Sequence, residues 1–149
     1  MGYRSIIFYV FIPIIYLASC GNKSGDEGSY ASKIKYRQYF NNGRQLYLNN
    51  CSNCHQKDGS GLARLYPPIA GSDYFRSDPA RAICIVRNGL SGEIFVNGIS
   101  FNQPMPGNTD LSNLEIAELM TYLYGNWSEE DRIFSPDQVS ELLRNCPFD

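Results

Sequence analysis

The residues of this chain best placed to do chemistry are Cys51, Cys54 and His55, in the run Cys51-Ser52-Asn53-Cys54-His55. Two thiols three positions apart, followed at once by an imidazole, make the C-x-x-C-H pattern of c-type haem attachment. Each thiol can add to one vinyl group on the same porphyrin edge, and the histidine that follows is then held beneath the iron as proximal ligand. His55 is the only histidine in the sequence, so nothing competes for that place. Two other chemistries use paired cysteines. A thioredoxin-like pair sits between strand and helix of a βαβ unit, and no such pattern surrounds Cys51. A zinc site needs a second close pair of Cys or His, whereas the remaining cysteines stand singly at Cys20, Cys84 and Cys146.

The rest of the chain suits a cofactor of this kind. With 149 residues, 43% hydrophobic and 19% charged, it is the size of one small domain. It is rich in aromatic residues, and a large flat apolar group would supply core that a short chain lacks. A formal charge of −2 argues against a nucleic-acid partner. The charge is uneven, however. Residues from Asp110 onward hold nine acidic and two basic side chains, net −7, against ten basic and six acidic in residues 20–109, net +4. Such a dipole could orient the protein at a redox partner.

Residues 1–19 read as a targeting segment, with Arg4 ahead of an apolar run from Ile6 to Ala18. That run is shorter than the ~20 residues of a comfortable membrane span and suits a signal peptide. It ends in Leu17-Ala18-Ser19-Cys20, which resembles the bacterial lipobox. The resemblance implies cleavage before Cys20 and a lipid on its thiol, hence a membrane-anchored lipoprotein facing the periplasm or cell surface. Residues 20–35 are expected to be a flexible tether, because Gly21 to Ser32 is rich in Gly and Ser. Twelve such residues reach roughly 20 Å.

A first helix is expected from Tyr36 to Asn50, with Phe40, Gly43, Leu46 and Tyr47 on one face. After His55 the chain turns through Gly59, Gly61, Pro67, Pro68 and Gly71, the composition of a loop wrapped around something. Asp78 and Pro79 open a second helix and Gly89 closes it. Glu93 to Asn102 alternates around Asn97-Gly98, a hairpin of the type I′ kind, and leads to Pro104-Met105-Pro106. Ser112 and Glu115 form a capping box for a helix whose apolar face is Ile116, Leu119, Met120 and Leu123, with Gly125 at its end. Ser135-Pro136 starts a last short helix, with Gln138 completing a second capping box.

With these residues placed, residues 36–127 resemble a class I monohaem cytochrome c domain. The matching stretches are Gly43-Arg-Gln-Leu-Tyr47, the haem motif, Pro67-Pro-Ile-Ala-Gly71, Gln103-Pro-Met105-Pro and Ile116-Ala-Glu-Leu-Met-Thr-Tyr122. The resemblance implies an all-α fold whose N- and C-terminal helices cross around one covalently bound haem c, with Gly43 facing Tyr122, plus the small hairpin before the Met loop. It implies His/Met ligation and one-electron transfer. It also makes Pro67, or the adjacent Pro68, the proline whose carbonyl holds the ligand histidine. Residues 128–149 lie outside it and are expected to dock on the domain as a helical extension.

Elimination narrows the sixth ligand. No second histidine exists, and Met1 leaves with the signal segment. Met120 lies on an apolar helix face, the usual place of a core filler. Met105 sits in a loop stiffened by Pro104 and Pro106, which reduces the entropy lost on forming a weak iron–sulfur bond. With His55 and Met105 both engaged, no open iron position and no free imidazole remain for catalysis. The chain therefore reads as an electron carrier, and the resemblance implies one of a bacterial respiratory or dehydrogenase chain, serving an oxidase, reductase or dehydrogenase. Two alternatives are an electron-transfer subunit of a larger oxidoreductase and a five-coordinate haem sensor or peroxidase-like protein. Cysteine arithmetic adds a disulfide. One thiol for lipid and two for haem leave Cys84 and Cys146, in a compartment where thiols pair.

Overall fold

Two helices can cross at backbone distance only where a side chain is missing, and Gly43 is such a place. The computed structural model describes residues 24–128 and 130–147. In it α1 (Ser24–Asn50) and α5 (Asn113–Trp127) cross at this glycine. A Cβ on Gly43 would come within 2.8 Å of the Tyr122 Cβ and nearer still to the Glu118 backbone. The Asn42 amide donates to the largely buried Glu118 carboxylate at 2.8 Å beside the same crossing. Around it Phe40, Tyr47, Tyr122 and Trp127 pack edge to face or tilted, with ring centroids 5.0–5.6 Å apart.

Helix α5 starts on the capping box seen in the sequence: the Ser112 hydroxyl accepts from Glu115 N, and the Glu115 carboxylate from Ser112 N. Nine consecutive residues, Ile116 to Tyr124, are buried, so the helix is enclosed on all sides rather than along one stripe. Helix α2 (Ser52–His55) is a single turn after α1, and α3 (Asp73–Arg76) is another. Helix α4 (Pro79–Asn88) begins with Asp78 accepting from Arg81 N and stops at Gly89, which takes a left-handed φ of 84°. Strand β1 (Gly89–Leu90) follows directly. The hairpin β2 (Ile94–Val96) and β3 (Ile99–Phe101) turns through Asn97 and Gly98, both at positive φ, as type I′ requires. Strand β4 (Met105–Pro106) then pairs antiparallel with β1.

The segment after Trp127 docks on the domain. Phe134 and Val139 are fully buried, and Phe134 N donates at 3.1 Å to the buried Thr121 hydroxyl on α5. Helix α6 (Pro136–Leu143), capped by Ser135, packs on α5 and α4. Cys84 of α4 and Cys146 are joined there as a disulfide, with Cα atoms 5.7 Å apart across 62 residues.

The all-α architecture with a small hairpin is the one expected, and three details differ. Helix α1 begins at Ser24, twelve residues before Tyr36, so the described part of the supposed tether is helix. No proline interrupts residues 24–35. Extending an existing helix costs far less than nucleating one, so Gly and Ser there are tolerated. Gly125 does not end α5, which runs on to Trp127; the missing side chain instead admits the rings of Tyr36 and Phe40 from α1. Gln138 gives only half of a capping box, its backbone N–H bonding the Ser135 hydroxyl. The proposed signal segment 1–19 and Cys20 lie outside the described residues. No described helix is long and apolar enough to cross a membrane.

Candidate functional site

The site begins where α1 ends. Cys51 N donates to Tyr47 O at 2.9 Å, and the chain then winds one more turn, so that Cys54 N and His55 N both donate to Cys51 O, at 3.2 and 3.0 Å. This turn carries both thiols and the imidazole in a few ångströms of backbone. Neither Cys51 nor Cys54 is in a disulfide. Cys51 is half-buried against the core, and burial, aided by its neighbour Cys54, pushes its thiol up to about 12. A thiol so held in its protonated form is unlike the acidified nucleophile of a redox pair.

The loop after His55 folds back to hold the ring. Gly61 N donates to His55 O at 3.0 Å, while Ile69 N and Ala70 N both reach Gly59 O at 2.8 and 3.0 Å. The fold-back brings the Pro67 carbonyl to 3.0 Å from His55 Nδ1. A carbonyl can only accept, so Nδ1 carries the proton and Nε2 keeps its lone pair for a metal. Of the two prolines left open by the sequence, Pro67 makes this bond. Burial holds the imidazole below its ordinary pKa, and the Pro67 hydrogen bond pushes the other way.

His55 and Cys54 line a cavity with about 980 Å³ of empty space, part of it open to solvent. Its walls are mostly apolar and come from three directions: Pro67, Pro68 and Ile69 of the loop, Ala82, Ile85 and Val86 of α4, and the hairpin with the segment after it. Met105 belongs to that last wall. It is fixed twice over. Leu90 pairs with Met105 and Gly89 with Pro106 in the β1–β4 ladder, and Asn108 N donates to Val86 O at 2.9 Å just beyond. Arg87 adds bonds to Thr109 O and the Asn113 side chain at 2.9 and 3.0 Å. The Met105 segment is thereby tied to the end of α4.

These residues fit a covalently attached haem. The Cys54 thiol and an imidazole with a free Nε2 stand at the edge of a large apolar cavity, the Cys51 thiol lies one turn back, and Met105 with its thioether sulfur lines the same space. The structure brings Cys54, His55, Pro67 and Met105 to that cavity, with Cys51 one turn back and packed on the core. Met120 is fully buried in the core and is not part of the cavity wall. Cys84 and Cys146 belong to the contact of α4 with the tail.

Sequence reasoning did not find Tyr66, Ser72, Tyr74 and Arg81 as polar members of the wall, and Gln103, which joins them, was read only as part of the Met105 stretch. The helix start at Asp78-Pro79 does place Arg81 and Ile85 one turn apart, but periodicity does not say which side of α4 meets the cavity. The β1–β4 pairing also escaped, since two-residue strands carry no alternation to read.

Comparison with known proteins agrees with this geometry. The family model described as cytochrome c matches residues 40–127. Cytochrome c-552 of Thermus thermophilus is 28% identical over 108 residues, covering 68% of this chain and 82% of that protein. The cytochrome c subunit of a quinone alcohol dehydrogenase from Gluconobacter oxydans (strain 621H) is 28% identical over 109 residues, 71% of this chain but 22% of that subunit. The corresponding subunit of Komagataeibacter europaeus is 29% identical over 92 residues, 59% of this chain and 19% of its own length.

Proposed function

The chain belongs to the cytochrome c family, with haem c as its covalent cofactor, and on that premise we propose that it passes single electrons between partner proteins outside the cytoplasmic membrane, with His55 and Met105 as the axial ligands. One observation carries the reading: the imidazole of His55 and the thioether of Met105 line the same apolar cavity. Bound there, the haem supplies a one-electron ferric/ferrous couple. The chain does the rest. Pro67 holds the Nδ1 proton and with it the ring orientation. Pro104, Pro106 and the β1–β4 ladder hold the sulfur in place. The apolar walls keep water away, which favours the less charged ferrous state. Cys51 and Cys54 make the attachment permanent, so the cofactor is not lost between partners. With His55 and Met105 both engaged, the haem would offer no open position to a small substrate, and electron transfer is the activity this arrangement would serve.

The ligand assignment is tested on the oxidised protein through the near-infrared band that arises when a methionine sulfur binds ferric iron. Met105→Ala removes the band, admits carbon monoxide to the ferrous state and lowers the reduction potential; Met120→Leu leaves all three unchanged. A band that survives Met105→Ala overturns the assignment and points to Met120 instead, whereas wild-type protein without the band favours the five-coordinate reading.

A second reading, service as an electron-transfer subunit of a larger oxidoreductase, draws on the dehydrogenase subunits among the relatives. In either case Cys20 carries a lipid that keeps the protein at a membrane. Mature protein whose Cys20 has the mass of an unmodified residue rules the anchor out.

A further inference from the structure

Helix α1 outruns the domain it belongs to. From Gly28 to Lys35 every residue is exposed, and a helical stretch that the core does not hold is marginal in water unless something covers it. One of its faces suits a cover of a particular kind. Tyr30, Lys33, Ile34 and Arg37 follow at i, i+3, i+4 and i+7, a single helical stripe. The stripe is turned well away from Gly43, where α5 crosses. Tyr30 and Ile34 are 68% and 40% exposed. Lys33 and Arg37 are exposed beside them and line a shallow cleft against Asp131 and Ile133. Asp131 accepts there from the Tyr36 hydroxyl. Lys35 is not in the stripe; its ammonium stands 5.4 Å from the centroid of the Tyr39 ring, further round the helix. The acids of α1, Asp26 and Glu27, both precede Gly28, and residues 28–50 hold four basic side chains and no acidic one.

We propose that this stripe rests on an anionic membrane surface, with Tyr30 and Ile34 entering the interface and Lys33 and Arg37 meeting lipid phosphates. Three arguments favour a bilayer. A tyrosine has an apolar ring and a polar tip, which suits the boundary between headgroups and acyl chains. Cations beside an apolar pair on one helix face give the cross-section of a helix lying in the interface plane, and no described helix is long and apolar enough to cross instead. Cys20, proposed above to carry lipid, is four residues ahead of Ser24, at most about 14 Å of chain. That places the stripe within reach of a membrane before any acidic protein arrives. The choice of occupant thus rests in part on the lipid at Cys20, while the stripe itself does not.

The test is flotation of the haem-loaded protein with lipid vesicles, read by haem absorbance. It uses a Cys20→Ser chain exported behind an ordinary signal segment, so that no attached lipid holds the protein. Vesicles of phosphatidylglycerol with phosphatidylethanolamine should carry it up and phosphatidylcholine vesicles should not. Raised salt should release it, because the attraction is screened. Lys33→Gln and Arg37→Gln should each weaken binding about fivefold, the usual contribution of one basic residue at an anionic surface. Tyr30→Ser with Ile34→Ser should weaken it too and leave the salt dependence in place. Arg144→Gln, which removes the same charge from an exposed position in the tail, should change nothing. All these side chains are exposed, so the variants should fold, and haem absorbance with thermal melting checks that they do. Equal flotation with both kinds of vesicle, or equal losses from Arg37→Gln and Arg144→Gln, overturns the proposal. No flotation with the anionic vesicles also overturns it and leaves the stripe to an acidic protein partner. The mass of Cys20 in mature wild-type protein reports separately on the anchor, so either reading can fail without the other.

Discussion

Gly61 and Pro67 meet backbone to backbone: a Cβ on Gly61 would stand 2.7 Å from the Pro67 carbonyl carbon and 2.8 Å from its oxygen. That oxygen is the acceptor for His55 Nδ1. Gly61 also holds a φ of 71°, where a side chain is disfavoured. The absent side chain is therefore what lets the loop turn its carbonyl onto the histidine. Gly61→Ala should keep both thioether bonds, cost about 1–3 kcal/mol of stability and push the Pro67 carbonyl away. A histidine that donates less strongly is a poorer electron donor to iron, so the potential should rise. Redox titration and thermal melting of the variant check both, and an unchanged potential would count against Pro67 as the group that tunes His55.

Gly43→Ala and Gly125→Ala should differ, although both glycines lie in the α1–α5 contact. The new methyl at Gly43 meets the backbone of Glu118 and the Tyr122 Cβ, which cannot move without parting the helices. At Gly125 the neighbours are the ring ends of Tyr36 and Phe40, which can rotate. We expect a loss of about 3 kcal/mol at Gly43 and about 1 kcal/mol at Gly125, within the usual range for overpacking. Denaturant melts of the two variants, compared directly, decide it.

Reduction of Cys84–Cys146, or Cys146→Ser, should lower stability by about 2–4 kcal/mol, the usual scale for a bond that closes a loop of this size. The haem spectrum should not change, because the tail contributes no residue to the cavity wall. Alkylation of unreduced, denatured protein should label neither cysteine; two labelled peptides would show that the thiols are free.

On the proposed ligation, acid should release His55 from the iron late. Burial disfavours the imidazolium of His55, so its pKa lies below the ordinary ~6.5. The stabilisation from keeping the ring neutral is complete above that ordinary value and is lost as pH falls through the depressed one. The low-spin spectrum should accordingly persist at pH 6 and collapse only at lower pH. A spectral transition centred at or above about 6.5 would contradict the assignment of burial as the dominant influence on this ring.

Much of this was legible in the residues, for reasons that differ from place to place. Ser112 with Glu115, Asp78 with Pro79, and Asn97-Gly98 are local devices whose partners lie within a few positions, so spacing alone reveals the element. The histidine and the two thiols belong to one turn and are legible for the same reason. What escaped depends on distant partners. The extent of α1 before Tyr36 rests on helix propagation, with every residue from Gly28 to Lys35 exposed and no core-facing apolar stripe to signal it. Gly125 has the composition of a helix stop, and only the arrival of Tyr36 and Phe40 from 85 and more residues earlier shows it to be a contact instead. Arg81 reads as an ordinary surface charge on an amphipathic helix until the cavity is seen on its other side.

The early start of α1 changes what the residues before Tyr36 do mechanically. A coil has a distribution of lengths and no direction; a helix has one length and one axis. From Ser24 to Tyr36 the rod is about 18 Å long, and at its base the Tyr36 hydroxyl bonds Asp131 of the tail at 3.0 Å. A grip on the chain at Ser24 is therefore a grip on a handle fixed to the domain. The mouth of the cavity then has a defined bearing relative to that grip, and a partner must approach from that bearing rather than wait for a tumbling head to turn.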